Sequence, residues 1–278
     1  MKTIGVIGLG IIGSVWAKHY ANANVLAGVW NRTPQPDFPK WLPTPEAVAK
    51  AADVIQIVVA DPPAVQSVLD RIVPSLTPAK IVVQSSTIDP ESSEQFRQLV
   101  TSHGARYLES PFTGSKPAAE EKKTVYYFGG DTALISELEP LLALVSESRF
   151  RIGTNKQAAT LKLAMNLNIA AQIQGLAETL TMARQAGISD DLFFTVLSKN
   201  VGYSGVTKLK EGKLRAGDFS PQFSVKHLLK DLRLASRTMG CEDFPLLDTL
   251  RDVFYHASEA GLADEDISAI IKQLEQHN

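Results

Sequence analysis

Apolar and polar positions along the chain follow one rule before about residue 153 and another after it. In the first part, short apolar runs alternate with longer amphipathic stretches. Residues 3–8, Val25–Trp30, Val54–Val59, Lys80–Gln84, Arg106–Glu109 and Thr124–Phe128 have strand length and are rich in aliphatic or aromatic side chains. Near-continuous apolar strands separated by helical stretches predict a parallel sheet with helices on both faces. Asp61-Pro62-Pro63 stops the third run and starts a helix, and Asp89-Pro90-Glu91 opens a helix running to His103. Proline suits a first helical turn, where its missing N–H costs nothing.

Past Gly153 strand signals vanish and a helical period takes over. It marks helices at about Gln157–Gln185, Asp190–Ser198, Lys226–Arg237, Pro245–Glu259 and Glu265–Gln276, with Gly187 and Gly261 where helix ends need them. The pairs Phe193-Phe194 and Phe254-Tyr255 are expected in the core. The pattern predicts an α/β fold, a doubly wound parallel sheet over residues 1–156 followed by an all-α domain over 157–278. The helical half is also where an oligomer interface would form.

The first strand breaks at Gly8-Leu9-Gly10-Ile11-Ile12-Gly13 into a helix from Ser14 to about Ala21. A G-x-G-x-x-G spacing between a strand and a helix is the fingerprint of a Rossmann-type dinucleotide site. Gly8 permits the tight turn, Gly10 lets backbone approach a pyrophosphate, and Gly13 lets helix and strand pack closely. The helix N-terminus then holds the phosphate charge. The second strand ends at Asn31-Arg32-Thr33, where an NAD site would carry Asp or Glu for the ribose hydroxyls. A neutral Asn and a guanidinium favour the 2′-phosphate of NADPH over NADH, although an arginine is also commonplace in a surface turn.

Ligands on such sheets bind outside the carboxyl ends of the strands. Three segments lie there: Ala60-Asp61-Pro62, Ser85-Ser86-Thr87, and Ser110-Pro111-Phe112-Thr113-Gly114-Ser115. Thr113, Gly114 and Ser115 have the composition of an anion-binding turn, with two hydroxyls and an open backbone N–H. A plain turn leading into the polar stretch Lys116–Lys123 fits the same residues.

The run from about Gln157 to about Gln185 reads as one buried helix, and between Thr160 and Met182 only Lys162 and Glu178 carry charge. Lys162 and Asn166, four residues apart, share a helix face flanked by Ala158, Ala159, Met165, Ile169 and Ala170. A lysine is ordinarily solvated. In apolar surroundings an ammonium is costly unless something uses it. Further on, Lys226, Lys230 and Asp231 form either a solvated helix face or a second polar constellation.

Composition narrows the function classes. A 44% hydrophobic, 21% charged chain with net charge −2 offers no broad basic field, so neither nucleic acid nor an anionic membrane is an expected partner. The Leu161–Met182 run has the length of a membrane span, but its Lys, Glu, two Asn and two Gln would be costly in lipid. Cys241 is the single cysteine, and the histidines lack ligand spacing, so no disulfide or metal site is expected. Met1-Lys2-Thr3 leads directly into a strand without a targeting pattern, and a cytoplasmic location is expected.

Taken together, these segments resemble the β-hydroxyacid dehydrogenase family over nearly the whole chain. The likeness rests on Gly8–Gly13, on Glu109-Ser-Pro-Phe-Thr-Gly-Ser115 as the substrate-carboxylate motif, and on Thr160-Leu-Lys-Leu-Ala-Met-Asn166 as the catalytic helix. Phe223–Ala235 matches the cofactor-side motif of the helical domain. Asn31-Arg32-Thr33, Ser85-Ser86-Thr87 and the Lys226-His227 pair ahead of Lys230-Asp231 are similar to the glyoxylate and succinic semialdehyde reductase branch. The resemblance implies reduction of a small aldehyde acid with hydride from NADPH, with Lys162 as general acid protonating the alkoxide. It implies that Asn166 orients the substrate or the lysine, and that Thr113, Gly114 and Ser115 hold the carboxylate. Thr87 would lie beside the nicotinamide, with Phe223, Lys226 and Asp231 closing the site, in a homodimer or homotetramer. The chain departs from the family pattern at Phe112, in place of a smaller aliphatic residue, and at Thr113, in place of serine. It departs again at Met165, in place of a second Asn, and at Gly153-Thr-Asn-Lys156, a reduced glycine-rich segment. An imine reductase-like enzyme and a non-catalytic NADP-sensing or scaffold protein are the alternatives; the retained Lys162 and Asn166 speak against both.

Overall fold

The computed structural model describes every residue except Met239, Glu242 and residues 276–278. Two compact units, Met1–Lys162 and Leu163–Asn278, divide the chain. The first holds strands β1 (Ile4–Ile7), β2 (Leu26–Trp30), β3 (Val54–Ile57), β4 (Ile81–Gln84), β5 (Arg106–Glu109), β6 (Phe112–Thr113), β7 (Thr124–Gly129) and β8 (Ser146–Gly153). Between them run α1 (Gly13–Asn22), α2 (Pro45–Ala51), α3 (Pro62–Ile72), α4 (Pro90–Ser102), α5 (Lys116–Glu120) and α6 (Thr132–Leu142).

The strands form one sheet in the order β2-β1-β3-β4-β5-β7-β6, with β8 beside β7. The first five pair in parallel, as expected. Beyond them the expected all-parallel arrangement gives way, because β7 runs antiparallel to β5 and β6 and parallel to β8. The chain leaves β1 for β2 on one side and returns to β3 on the other, so the switch point of this sheet lies between β1 and β3. β1, β3 and β4 are buried throughout, which is why they read as continuous apolar runs. Ile4, Val6 and Val54 face the layer of Trp16, Tyr20 and Leu138; Ile7, Ile55 and Ile57 face that of Val65, Leu69 and Phe96.

Local signals set the helix starts. Asp61 and Asp89 accept hydrogen bonds from the amides of Ala64 and Ser92, and Pro62 and Pro90 follow them inside the first turn. β8 was not apparent from the apolar pattern. Its residues Ser-Glu-Ser-Arg-Phe-Arg-Ile-Gly are mostly exposed or half-buried, so only its pairing with β7 defines it.

The division between the units falls inside α7 (Asn155–Gln185), a single 31-residue helix. It is not buried all round, as the sequence suggests. Thr160, Ala164, Asn168, Gly175, Glu178 and Met182 form an exposed stripe at helical spacing, with Met182 71% exposed.

The second unit continues with α8 (Asp190–Leu197), α9 (Gly205–Ala216), α10 (Val225–Ala235), α11 (Pro245–Ala257) and α12 (Ile271–Glu275). Its core joins Ile173, Leu176 and Leu180 of α7 to Leu228 and Leu232 of α10 and to Leu250 and Phe254 of α11. Phe194 is also buried, whereas Tyr255, expected in the core, is 41% exposed. Gly187 and Gly261 adopt the positive φ that ends a helix. The last expected helix is a 3₁₀ turn, Ile267–Ile270, followed by α12; its expected end at Gln276 lies outside the described residues.

α9 was missed because its inward face is not apolar. Lys210 is 1% exposed and its Nζ lies 2.8 Å from Oδ1 of Asp266, itself fully buried. Asp266 also accepts from the amides of Gln222 and Ser268, at 3.0 and 3.2 Å. Removing one member of a buried pair strands the other charge. Lys210→Met is therefore expected to cost ~3–5 kcal/mol in urea-unfolding free energy. A loss below about 1 kcal/mol would contradict this reading of the pair.

Candidate active site

The glycine turn after β1 has the shape of a phosphate-binding loop. Gly8 sits at φ 109°, and a Cβ there would lie 2.1 Å from the Val58 carbonyl oxygen. A Cβ on Gly13 would meet the Gly8 carbonyl oxygen at 2.0 Å, so strand, turn and helix touch backbone to backbone. Gly10 is different: it is exposed, and nothing lies within 4 Å of the position its Cβ would take. That open approach is what a pyrophosphate needs. α1 starts with no side-chain cap and no acidic residue in its first turn; the Ser14 N–H donates to the Gly10 carbonyl oxygen at 3.1 Å, and the other leading N–H groups suit an anion. The residues present therefore fit a dinucleotide.

Asn31, at the end of β2, serves this loop from behind. Its Oδ1 accepts from the Leu9 amide at 3.1 Å, and its Nδ2 donates to the Thr33 carbonyl at 3.0 Å. Arg32 and Thr33 are exposed beside it. At the end of β3, Ala60 is exposed and Asp61 spends Oδ1 on the α3 cap, so its carboxylate shapes the loop. Thr87 is half-buried past the end of β4.

Beneath these strand ends lies a buried polar layer that the sequence reading did not single out. Gln56 donates to Ser85 Oγ at 3.0 Å and to the Tyr126 hydroxyl at 2.9 Å, while Tyr20 donates to its Oε1. Ser85 and Ser110 share a hydrogen bond of 3.1 Å. Gln84 and Glu109 are register partners on β4 and β5, and Gln84 Nε2 donates to Glu109 Oε1 at 3.0 Å. Glu109 Oε2 accepts from Ser93 Oγ at 2.6 Å and from the Tyr107 hydroxyl at 2.7 Å. Burial pushes its carboxyl from the ordinary 4.5 up to about 8, against these hydrogen bonds, which pull it down. The available signal was a Gln or Glu at the end of an otherwise apolar strand.

β6 carries the start of the expected carboxylate loop. Phe112 and Thr113 pair with Tyr126 and Val125 of β7. Gly114 follows at φ 133°, with 3.0 Å between its would-be Cβ and Thr124 Cγ2. The Phe112 ring meets Trp16 edge-on, centroids 4.6 Å apart, and Trp16 is fully buried. Lys162 is 7% exposed, and its Nζ lies 6.0 Å from the Phe112 ring centroid. The first unit thus brings Lys162 beside the strand that leads into Thr113, Gly114 and Ser115.

In the second unit, Asn166 Nδ2 donates to Asp231 Oδ2 at 2.5 Å, and Lys230 Nζ lies 2.7 Å from Asp231 Oδ1. Asp231 is 3% exposed, which excludes the solvated-face reading for this residue. Phe223 packs against the helical core and its amide donates to Asp266. Lys226 is half-exposed and paired with Asp264. His227 shares a 2.6 Å hydrogen bond with Ser224 Oγ, and burial lowers its pKa. Among the described residues there is no His, Cys, Asp and Glu cluster able to hold a metal, and no helix long and apolar enough to cross a membrane.

The raised Glu109 pKa has a signed consequence for stability. Between about 4.5 and about 8 the folded protein keeps a proton that the unfolded chain loses. The contribution of this group is fully present below 4.5 and falls with rising pH by ~1.4 kcal/mol per unit until the folded carboxyl ionises. In Glu109→Gln this dependence disappears. Urea unfolding of the wild type and variant should show the variant gaining on the wild type from pH 5 to pH 8. A constant difference would contradict a protonated Glu109.

Comparison with known proteins agrees with this anatomy. Residues 3–153 match the family model for the NAD binding domain of 6-phosphogluconate dehydrogenase. Residues 157–274 match that for the NAD-binding region of NADP-dependent 3-hydroxyisobutyrate dehydrogenase. Two Arabidopsis thaliana proteins are each 28% identical: glyoxylate/succinic semialdehyde reductase 2, over 98% of this chain and 79% of that protein, and reductase 1, over 97% of both. The chain also matches the nuclear factor N-PAC of several vertebrates, spanning 61% of its length in Danio rerio and 50% in Mus musculus. A crystal structure of 3-hydroxyisobutyrate dehydrogenase from Salmonella typhimurium superposes with a TM-score of 0.87 at 26% identity, covering 97% of this chain and 99% of that one. A nucleotide-ready loop, the two matched domains and the reductase relatives lead to one conclusion: the chain belongs to the β-hydroxyacid dehydrogenase family, enzymes that use a nicotinamide cofactor on small-molecule substrates.

Proposed function

We propose that the protein is an NADPH-dependent reductase of a small aldehyde acid, of the glyoxylate or succinic semialdehyde class, with Lys162 as general acid. The observation that carries this is the place of Lys162, 7% exposed and 6.0 Å from the ring of Phe112, next to the loop expected to take a carboxylate. Residues Gly8–Gly13 and the open N-terminus of α1 would hold the pyrophosphate, and Arg32 would pair with a 2′-phosphate. The nicotinamide supplies the hydride when bound. Thr113, Gly114 and Ser115 would take the substrate carboxylate through hydroxyls and backbone N–H, with Thr87 at the strand end nearby.

Lys162 would donate its proton to the carbonyl oxygen as the alkoxide forms, and recover one from solvent after product leaves. Asn166, tied to the buried Asp231, would fix the helix turn that presents the lysine. In the helical unit, Phe223 and Lys226 are the residues expected to serve the cofactor, and Lys226 pairs with Asp264. The reductase relatives support this choice of substrate class. A homodimer or homotetramer in the cytoplasm is the assembly we assign to it.

Lys162→Ala is expected to lower kcat for the aldehyde acid by ~10²–10⁴-fold, the usual worth of positioned acid catalysis, while NADPH affinity stays within about threefold. Steady-state kinetics with fluorescence titration of NADPH measures both. Turnover near that of the wild type would remove Lys162 from its role.

A further inference from the structure

We propose that Glu109 is a positioning residue that locks the ends of β3, β4 and β5 into one surface beneath the nicotinamide and the substrate. This rests on the reductase reading only in what it says binds there. Three strand ends have to be held in fixed relation for such a surface to exist, and backbone ladders stop at those ends. A chain of side-chain bonds continues past them. Glu109 Oε1 accepts from Gln84 Nε2 at 3.0 Å. The same Gln84 amide brackets the next loop: Nε2 donates to the Ser86 carbonyl at 2.9 Å, and Oε1 accepts from the Ser86 N–H at 2.6 Å. Ser86 Oγ in turn accepts from the Val59 N–H at 2.8 Å. One carboxyl on β5 is thereby linked through Gln84 and Ser86 to the backbone that leads into Ala60 and Asp61.

The linkage has little freedom. Glu109 and Gln84 are fully buried and Ser86 is 2% exposed, so water does not substitute for a lost partner. Glu109 is itself fixed from the other side by Ser93 of α4 and by Tyr107. Among the described residues Oε1 accepts from the Gln84 amide alone, whereas Oε2 faces two hydroxyls, either of which accepts as well as donates. A protonated carboxyl with its hydroxyl on the Oε2 side fits once one of the two hydroxyls turns to accept from it while the other still donates. A glutamine amide keeps the Gln84 bond through its oxygen and donates from its nitrogen to the hydroxyls, which then accept where they donated before. Leucine satisfies none of these partners.

Amide hydrogen exchange on the whole protein, together with NADPH titration, tests this with Glu109→Gln, Glu109→Leu and Ser86→Ala. Glu109→Gln is expected to match the wild type in the exchange of the Val59 and Ser86 amides and in NADPH affinity. Glu109→Leu is expected to speed exchange at both amides, and to weaken NADPH binding, each by roughly tenfold, the effect of one buried hydrogen bond. Ser86→Ala removes only the last link and speeds exchange at Val59 alone. It decides the matter should Glu109→Leu fail to fold. Folded Glu109→Leu with wild-type exchange at Val59 and Ser86, or Ser86→Ala with wild-type exchange at Val59, overturns the proposal. Neither readout depends on an aldehyde acid being the substrate, so an inactive wild type would count against the reductase reading and not against this role.

Discussion

Burying an ionisable side chain is expensive unless the charge is paired, neutralised or put to use, and this chain meets that constraint in different ways in its two units. In the helical unit the solution is pairing. Lys210 is held by Asp266, Lys213 by Asp218, and Asp231 by Lys230 and Asn166. In the sheet unit Glu109 takes the other route, surrounded by two hydroxyls and an amide and pushed to about 8, so that it stays protonated at neutral pH. Lys162 stands at the edge of that unit, beside an aromatic cluster whose rear members, Trp16 and Tyr126, are completely buried. The proposed chemistry is the use made of that placement.

The strand ends explain why such a layer exists. A doubly wound sheet offers its carboxyl ends to a ligand, and the loops there have lost the support of the ladder. Asn31 steadies the glycine turn through the Leu9 amide, Asp61 caps the next helix, and the Gln56, Gln84, Ser85, Ser110 and Glu109 side chains tie the loops from below. Asn31, through Oδ1 and Nδ2, and Asp61, through Oδ1, also shape the surface that a ligand would meet.

Most of the fold was legible because its signals are local. The apolar runs at β1, β3 and β4, the Asp-Pro starts of α3 and α4, and the glycines at the ends of α7 and α11 each act within a few residues. What escaped was set by distant partners. β8 is a strand because β7 lies beside it, and α9 buries Lys210 because Asp266, 56 residues on, neutralises it. In the candidate site, the glycine loop and Lys162 could be found by spacing and by an ammonium in apolar company. The pairing of Asn166 with Asp231 spans 65 residues, and the bond from Gln84 to Glu109 depends on strand register, so neither leaves a local trace.

The most direct test of the central claim is the oxidation of NADPH by the purified protein with glyoxylate, succinic semialdehyde, an aldehyde of similar size lacking a carboxylate, and a cyclic imine. A general-acid lysine beside a carboxylate-binding loop predicts turnover of one or both aldehyde acids, with the uncharged aldehyde and the imine slower by about a hundredfold or more in kcat/KM, the penalty for leaving a site built for a charged, hydrogen-bonding group unfilled. Equal or faster turnover of the imine, or no oxidation with either aldehyde acid, would contradict it.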